Sequence, residues 1–339
     1  MGDHDGLFKR VFSVPANAAA ELRSVLPAAV VERLDLDALT LSTASFVDPE
    51  LSASHVDLLF RAPRRDRPDA EPVYLYFLVE HQSQPDRWMP WRVLTYVQRI
   101  WDAALREEPA RRALPPVVTI VVHHGEAGWS APRRLHDLIE GLDGLPELAR
   151  LVPDVELLVD DLATVPDDSL RQRPLGPVPK VALWVLRDGR DAAAFGAHLD
   201  AWADELRALA RSASRADIEV IVRYILRTAG DASFKQLRQR IIDIAPPLEE
   251  PMATMEEHLI QRGIERGLQR GREEGREEGR EEGRTQGLRD GLERLLRLRF
   301  GALAPEMLAR LDDADAPTLL RWIERAVAAA SVDDVLGDA

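Results

Sequence analysis

No cysteine occurs anywhere in the chain. Disulfides, thiolate nucleophiles and thiolate zinc sites are therefore excluded, and any metal must be held by carboxylates, imidazoles or carbonyls. There is also no run of about 18 uncharged apolar residues of the kind a membrane span needs. The opening MGDHDGLFKR is acidic and carries no apolar stretch to act as a secretion signal. A cytoplasmic location and no membrane partner are expected. Lysine is scarce, found only at Lys9, Lys180 and Lys235. Arginine thus supplies almost all the positive charge; its guanidinium suits phosphate forks, although genomic base composition gives the same bias. The formal charge of -14 argues against indiscriminate adhesion to nucleic acid, but a whole-chain sum says little about one cleft.

What is present is enough for a folded protein. With 339 residues, 45% of them hydrophobic, the chain is expected to form two or three globular units. Residues 17–26 read as a helix, and 41–47 and 54–61 as short strands. Residues 73–82 are the strongest strand, with Val73, Leu75, Phe77 and Val79 on one side and Tyr74, Tyr76, Leu78, Glu80 and Gln82 on the other. The period becomes helical over 90–108, with Val93, Val97, Ile100 and Ala104 on one stripe. Residues 117–122 are a β-branched run opened by Pro115 and Pro116, as in a buried central strand, and 155–159 read as a further strand. An α/β sheet domain over 1–165 follows. A helical extension is expected over 166–245, and Pro246, Pro247 and Pro251 then mark a boundary.

After that boundary, glycine recurs every fourth residue from Gly263 to Gly291, with Arg-Glu-Glu filling the middle copies. Four residues overshoot a full helical turn by about 40°, so the glycines would trace a slowly winding bare stripe. Such a segment is either a helix that binds a partner or another copy of the chain, or a solvated flexible linker. We take 246–287 as hinge and connector and 288–339 as a small helical domain that docks or oligomerises, since about 50 residues bury little alone.

The chemistry concentrates on two strands. Asp57 faces the side opposite Val56, Leu58 and Phe60, and Glu80 and Gln82 share a face of the long strand. Two carboxylates brought together would repel, and a bound Mg²⁺ would resolve this by ligation to both. Water on such a cation has a lowered pKa and can attack a phosphodiester. On spacing alone, a turn-capping Asp57 and a solvated edge Glu80 remain the commoner arrangement.

Five ordered segments, His4-Asp5-Gly6-Leu7-Phe8-Lys9, Asp57-Leu58-Leu59-Phe60, Leu78-Val79-Glu80-His81-Gln82-Ser83, Arg92-Val93-Leu94-Thr95-Tyr96 and His124-Gly125-Glu126-Ala127-Gly128-Trp129, resemble those of the recombination-promoting nucleases. These bacterial proteins, long labelled transposases, lie within the PD-(D/E)XK nuclease superfamily. The tail from Leu288 also resembles a helical domain often appended to that family. The resemblance implies a PD-(D/E)XK nuclease-like mixed sheet flanked by helices. It also implies a DNA endonuclease that uses Mg²⁺ or Mn²⁺, held by Asp57, Glu80 and the main-chain carbonyl of His81. Gln82 stands where many superfamily members carry lysine; it can orient a water but supplies no charge. The alternative is a catalytically silent DNA-binding or regulatory scaffold that self-assembles through its C-terminal helices.

Arg61, Arg64, Arg65 and Arg67, in the loop between the two carboxylate strands, and Arg92, Tyr96 and Arg99, on a helix face just after them, are candidate phosphate contacts. Ordinary solvated arginine is the competing reading. Trp88 and Trp91 could stack on bases, but core packing is expected of them. His81, His123 and His124 are expected to be hydrogen-bonded structural groups.

Overall fold

The computed structural model describes residues 3–42, 57–67, 72–80, 85–125, 127–142, 144–189, 191–228 and 231–337. They divide into two compact units, Met1–Glu257 and His258–Ala339.

The first unit is built on a five-stranded mixed sheet in the order β1 (Thr40–Leu41), β2 (Asp57–Ala62), β3 (Val73–Glu80), β4 (Val117–His123) and β5 (Leu158–Asp161). β1, β2 and β3 are antiparallel neighbours, whereas β3, β4 and β5 run parallel. The parallel step from β3 to β4 requires a crossover, and the helix Met89–Glu107 supplies it. Its Met89, Val93, Tyr96, Val97 and Ile100 pack with Leu59, Tyr74, Val121 and Leu157 into one core cluster. Leu58, Phe60, Leu75, Ile120 and Val122 alternate to the other face and are also buried. There the helix Asp3–Phe12 packs against β2. A sheet buried on both faces explains why β4 reads as an almost wholly apolar run, with Thr119 as its one polar residue before the closing His123. This is the expected α/β class with a mixed sheet flanked by helices.

Local differences have physical causes. Residues 155–159 are expected as a strand, but β5 begins at Leu158 and ends on two acids, Asp160 and Asp161. Hydrophobicity located the run, and pairing of Ile120 with Leu158 set its register. Trp88 and Trp91 are not core residues; they are 57% and 56% exposed. Position 91 lies about 200° around the helix from Val93, opposite the buried stripe. Residues 43–56, which include parts of two expected strands, lie outside the described residues.

Helices continue the unit at Pro177–Asp188, Ala192–His198, Ala203–Ser212, Arg215–Thr228 and Asp231–Ile244. Trp184 is stacked on both Phe195 and Trp202, with ring centroids 4.2 and 4.7 Å apart. Among the described residues, no helix is long and apolar enough to cross a membrane.

Pro246–Leu248 form a short 3-10 turn, and Glu249–Phe300 is one continuous helix of 52 residues. Continuity is costly, because each interior glycine loses about 0.8–1 kcal/mol relative to alanine. A pair such as Arg270 with Glu274, 2.8 Å apart, returns only about 0.2–0.5 kcal/mol. In the second unit, Leu292 and Leu296 of this helix are buried with Leu311, Leu319, Trp322, Val335 and Leu336. Gly301, at φ +89, ends the helix in the left-handed region, and its N–H donates to the carbonyl of Arg297.

Candidate metal and nucleic-acid site

The parallel strands β3, β4 and β5 end in a row. Glu80 pairs with His123, and His123 pairs with Asp161. On the antiparallel side, Asp57 pairs with Leu78, two residues before Glu80. Because strand positions alternate between faces, 57, 80, 123 and 161 share one face, the face covered by the helix Met89–Glu107. Positions 57 and 80 are diagonal neighbours, a spacing of about 7–8 Å in this geometry. At Asp57 and Glu80 the structure describes the backbone alone, and His81 and Gln82 lie outside the described residues.

The far end of the row is described in full. His123 is fully buried, with its ring edge-on to Trp129 at 5.4 Å. The Trp129 N–H donates to Asp161 Oδ2 at 2.8 Å. Gly128 makes this turn possible. Its φ is +72, and a Cβ there would sit 3.2 Å from both Asp161 Oδ2 and Thr164 Cγ2. Asp161 Oδ1 is buried and accepts no hydrogen bond among the described residues. A buried carboxylate oxygen without an N–H donor calls for a cation or a proton. Carboxylates are the hard oxygen donors that Mg²⁺ or Mn²⁺ takes, so the residue types along this row fit such an ion. Asp161 was not singled out from the sequence. The available signal was a pair of acids closing an apolar run, and a misplaced strand end hid it.

A family model described as "Putative transposase, YhgA-like" matches residues 2–215. The chain belongs to this family. It is 30% identical over 258 residues to "Recombination-promoting nuclease RpnD" of Escherichia coli O157:H7, covering 76% of this chain and 93% of that protein. It is 27% identical to "Recombination-promoting nuclease RpnA" of Escherichia coli K12 over 77% of this chain and 84% of the relative. A further relative from that strain, also 27% identical over 77% of this chain and 82% of its own length, is named "Inactive recombination-promoting nuclease-like protein RpnE". No solved structure matches.

In this YhgA-like chain most of the candidate phosphate contacts are already engaged. Arg61 lies in β2 rather than in the loop, over the Tyr74 ring at 5.2 Å and 3.5 Å from Glu107. Arg64 holds both oxygens of Asp66, at 3.0 and 2.7 Å. Arg65 lies 3.6 Å from Asp35 and from Asp37. Arg92 bonds Asp86 at 2.9 Å and the Tyr96 hydroxyl at 3.3 Å. Tyr96 is only 4% exposed, so its ring is a packing group. Arg99 carries a buried guanidinium nitrogen. The exposed aromatic rings near the start of this helix are Trp91 and, just before it, Trp88. His123 and His124 are both buried, as structural histidines are.

A second cluster joins Asp167, Asp188 and His198, whose ligand-type atoms lie within 4.8 Å of one another. Its acceptors are occupied. Asp188 receives Arg187 Nε at 2.6 Å, Trp184 Nε1 at 2.8 Å and contacts His198 Nδ1 at 2.8 Å. Asp167 receives Arg187 at 2.7 Å, Trp202 at 2.8 Å and Arg171 at 3.1 Å. Burial opposes ionisation of Asp167, yet the donors Arg187 and Trp202 hold its carboxyl below the usual range. A cation here would have to displace a guanidinium, so the strand-end row is the better metal candidate.

Proposed function

We propose that the chain is a divalent-metal-dependent DNA endonuclease linked to recombination or mobile elements and working in the cytoplasm. The observation that carries this reading is the register of β2 on β3, with Asp57 opposite Leu78 and Glu80 two residues on. Membership of the YhgA-like family and the nuclease names of its relatives support it. Asp57, Glu80 and the carbonyl of His81 would hold Mg²⁺ or Mn²⁺. When bound, the ion activates water and stabilises negative charge developing on the phosphate.

The chain's own groups do the rest. Gln82 orients the attacking water through its amide. Burial of the Asp161 end of the row keeps bulk water from competing there. Exposed Trp88 and Trp91 offer flat faces on which bases can stack, a sequence-tolerant contact that suits an acidic protein.

The test is cleavage of supercoiled plasmid. Nicking or linearisation with Mg²⁺, abolished by chelation and by Asp57→Ala or Glu80→Ala in a chain that still folds, is expected. Cleavage that survives both substitutions defeats the mechanism. A silent DNA-binding scaffold is the second reading, favoured by the inactive name of one relative and by Gln82 in place of lysine. Binding of DNA without cleavage in any divalent metal would select it.

A further inference from the structure

A cleft of about 870 Å³ opens within the first unit, at the carboxyl ends of β4 and β5. Gly125 lies two residues past His123, which ends β4, and Ala163 lies two past Asp161, which ends β5. The crevice outside the carboxyl ends of parallel strands is where open α/β sheets take their ligands. The cleft also adjoins the candidate metal row, because Glu80 pairs with His123 and His123 with Asp161. Its other wall belongs to the helices Pro177–Asp188 and Ala192–His198. The volume is that of a ligand pocket, about 300–1,000 Å³.

The charges on that wall are committed to one another. Arg187 is shared between Asp167 at 2.7 Å and Asp188 at 2.6 Å, and Arg171 joins Asp167 at 3.1 Å. Among the described residues that line the cleft, no spare guanidinium is left to draw a phosphate, and two acceptors remain open. Asp191 caps the N–H groups of Ala193 and Ala194 with Oδ1, at 2.8 and 3.1 Å, and leaves Oδ2 over. His198 holds Nδ1 2.8 Å from Asp188 Oδ2. Because a carboxylate only accepts, Nδ1 carries the proton, and the neutral ring keeps Nε2 as an acceptor. Residues 191 and 198 are about 10 Å apart along the helix axis, so these two groups are too few and too separated to hold a metal ion. Between them Ala192, Ala193 and Ala194 line the cleft with methyl groups, which leave room for a flat ring.

Open acceptors beside small apolar side chains suit a flat, neutral ligand that brings its own donors. We propose that this cleft receives one unpaired nucleobase of the DNA strand, and that Asp191 selects bases carrying an exocyclic amine over thymine and uracil. The inference rests on DNA being the substrate. A carboxylate accepts from an amine such as cytosine N4, whereas the carbonyl that uracil carries at the same place meets it lone pair to lone pair. His198 Nε2 offers the second acceptor. A base must leave its stack to enter, so the site favours single-stranded or locally opened DNA. The sugar and phosphate stay at the mouth, away from the acids.

Binding of single-stranded oligonucleotides to the full chain carrying Asp57→Ala, followed by fluorescence anisotropy, separates base reading from cleavage. Two strands of one sequence are compared, one with cytosine and the other with uracil in its place, so that the amine is exchanged for a carbonyl at constant shape. The cytosine strand is expected to bind at least about tenfold more tightly. Asp191→Asn keeps the helix cap through its amide oxygen and turns an amide N–H towards the base, so the preference should vanish or invert. Ala193→Phe fills the cleft and should bring the cytosine strand down to the affinity of the uracil strand. Helical circular dichroism and a melting curve check that both variants fold. Equal affinity for the two strands, no binding of either, or a cytosine preference untouched by Asp191→Asn would overturn the proposal. Plasmid cleavage reports on the nuclease reading separately. A chain that never cuts DNA yet prefers the cytosine strand through Asp191 keeps the pocket, and one that cuts but binds both strands equally loses it.

Discussion

Arg173 grips Asp160 with two nitrogens, at 2.8 and 2.6 Å, on the side of the sheet opposite the candidate metal row. The same guanidinium reaches Glu21 at 2.5 Å, so one cation serves two buried acids. Glu21 is fully buried. Burial first, and the neighbouring Asp160 second, push its carboxyl well above the usual range, with Arg173 opposing them.

This sets a pH dependence. Because the folded pKa lies above the unfolded one, the folded state keeps a proton that the unfolded chain releases. The stability from this group is full below about pH 4.5 and is lost as pH rises towards the folded value. Glu21→Gln keeps the shape without the titration. The melting temperature of wild type minus that of Glu21→Gln should fall as pH rises above about 4.5 and level off once the folded carboxyl has ionised. A difference independent of pH would refute the raised Glu21 carboxyl.

Gly128→Ala should be destabilising by about 1–3 kcal/mol, because φ +72 strains an L side chain and the new methyl would crowd Asp161 and Thr164. Urea unfolding measures it. An unchanged midpoint would mean that the Trp129 to Asp161 contact does not depend on this turn.

Asp188→Ala removes one of the two carboxylate partners of the buried Arg187 guanidinium, which keeps Asp167, and the partner of two ring nitrogens. Loss of about 1–3 kcal/mol is expected, the scale for leaving buried polar groups unsatisfied. Asp188→Asn, which keeps an acceptor, should cost less. Equal losses in denaturant unfolding would show that shape rather than charge matters there.

Trp88→Ala with Trp91→Ala should weaken binding of single-stranded or nicked DNA, at about 1–3 kcal/mol per stacked base. It should leave the slope of affinity against salt unchanged, since no phosphate contact is removed. Both rings are exposed, so the fold should persist. A shift in the salt slope without loss of affinity would contradict stacking.

The α/β class, the helix on β3's trailing side and the helical second half were legible in the sequence, because apolar period is a local property of the chain. The same holds for the carboxylates at 57 and 80 as candidates, since alternation assigns faces residue by residue. The period likewise marked the glycine stripe, although four-residue spacing alone did not separate a helix from a linker. Tertiary structure decided the rest. Register joined Glu80, His123 and Asp161 in one row, and packing turned Tyr96 inward and Trp88 and Trp91 outward. It also spent the candidate arginines on nearby acids. Sequence fixes what each residue can do and which side of its own element it takes. Which distant groups it meets depends on how strands pair and helices pack, and no single segment carries that information.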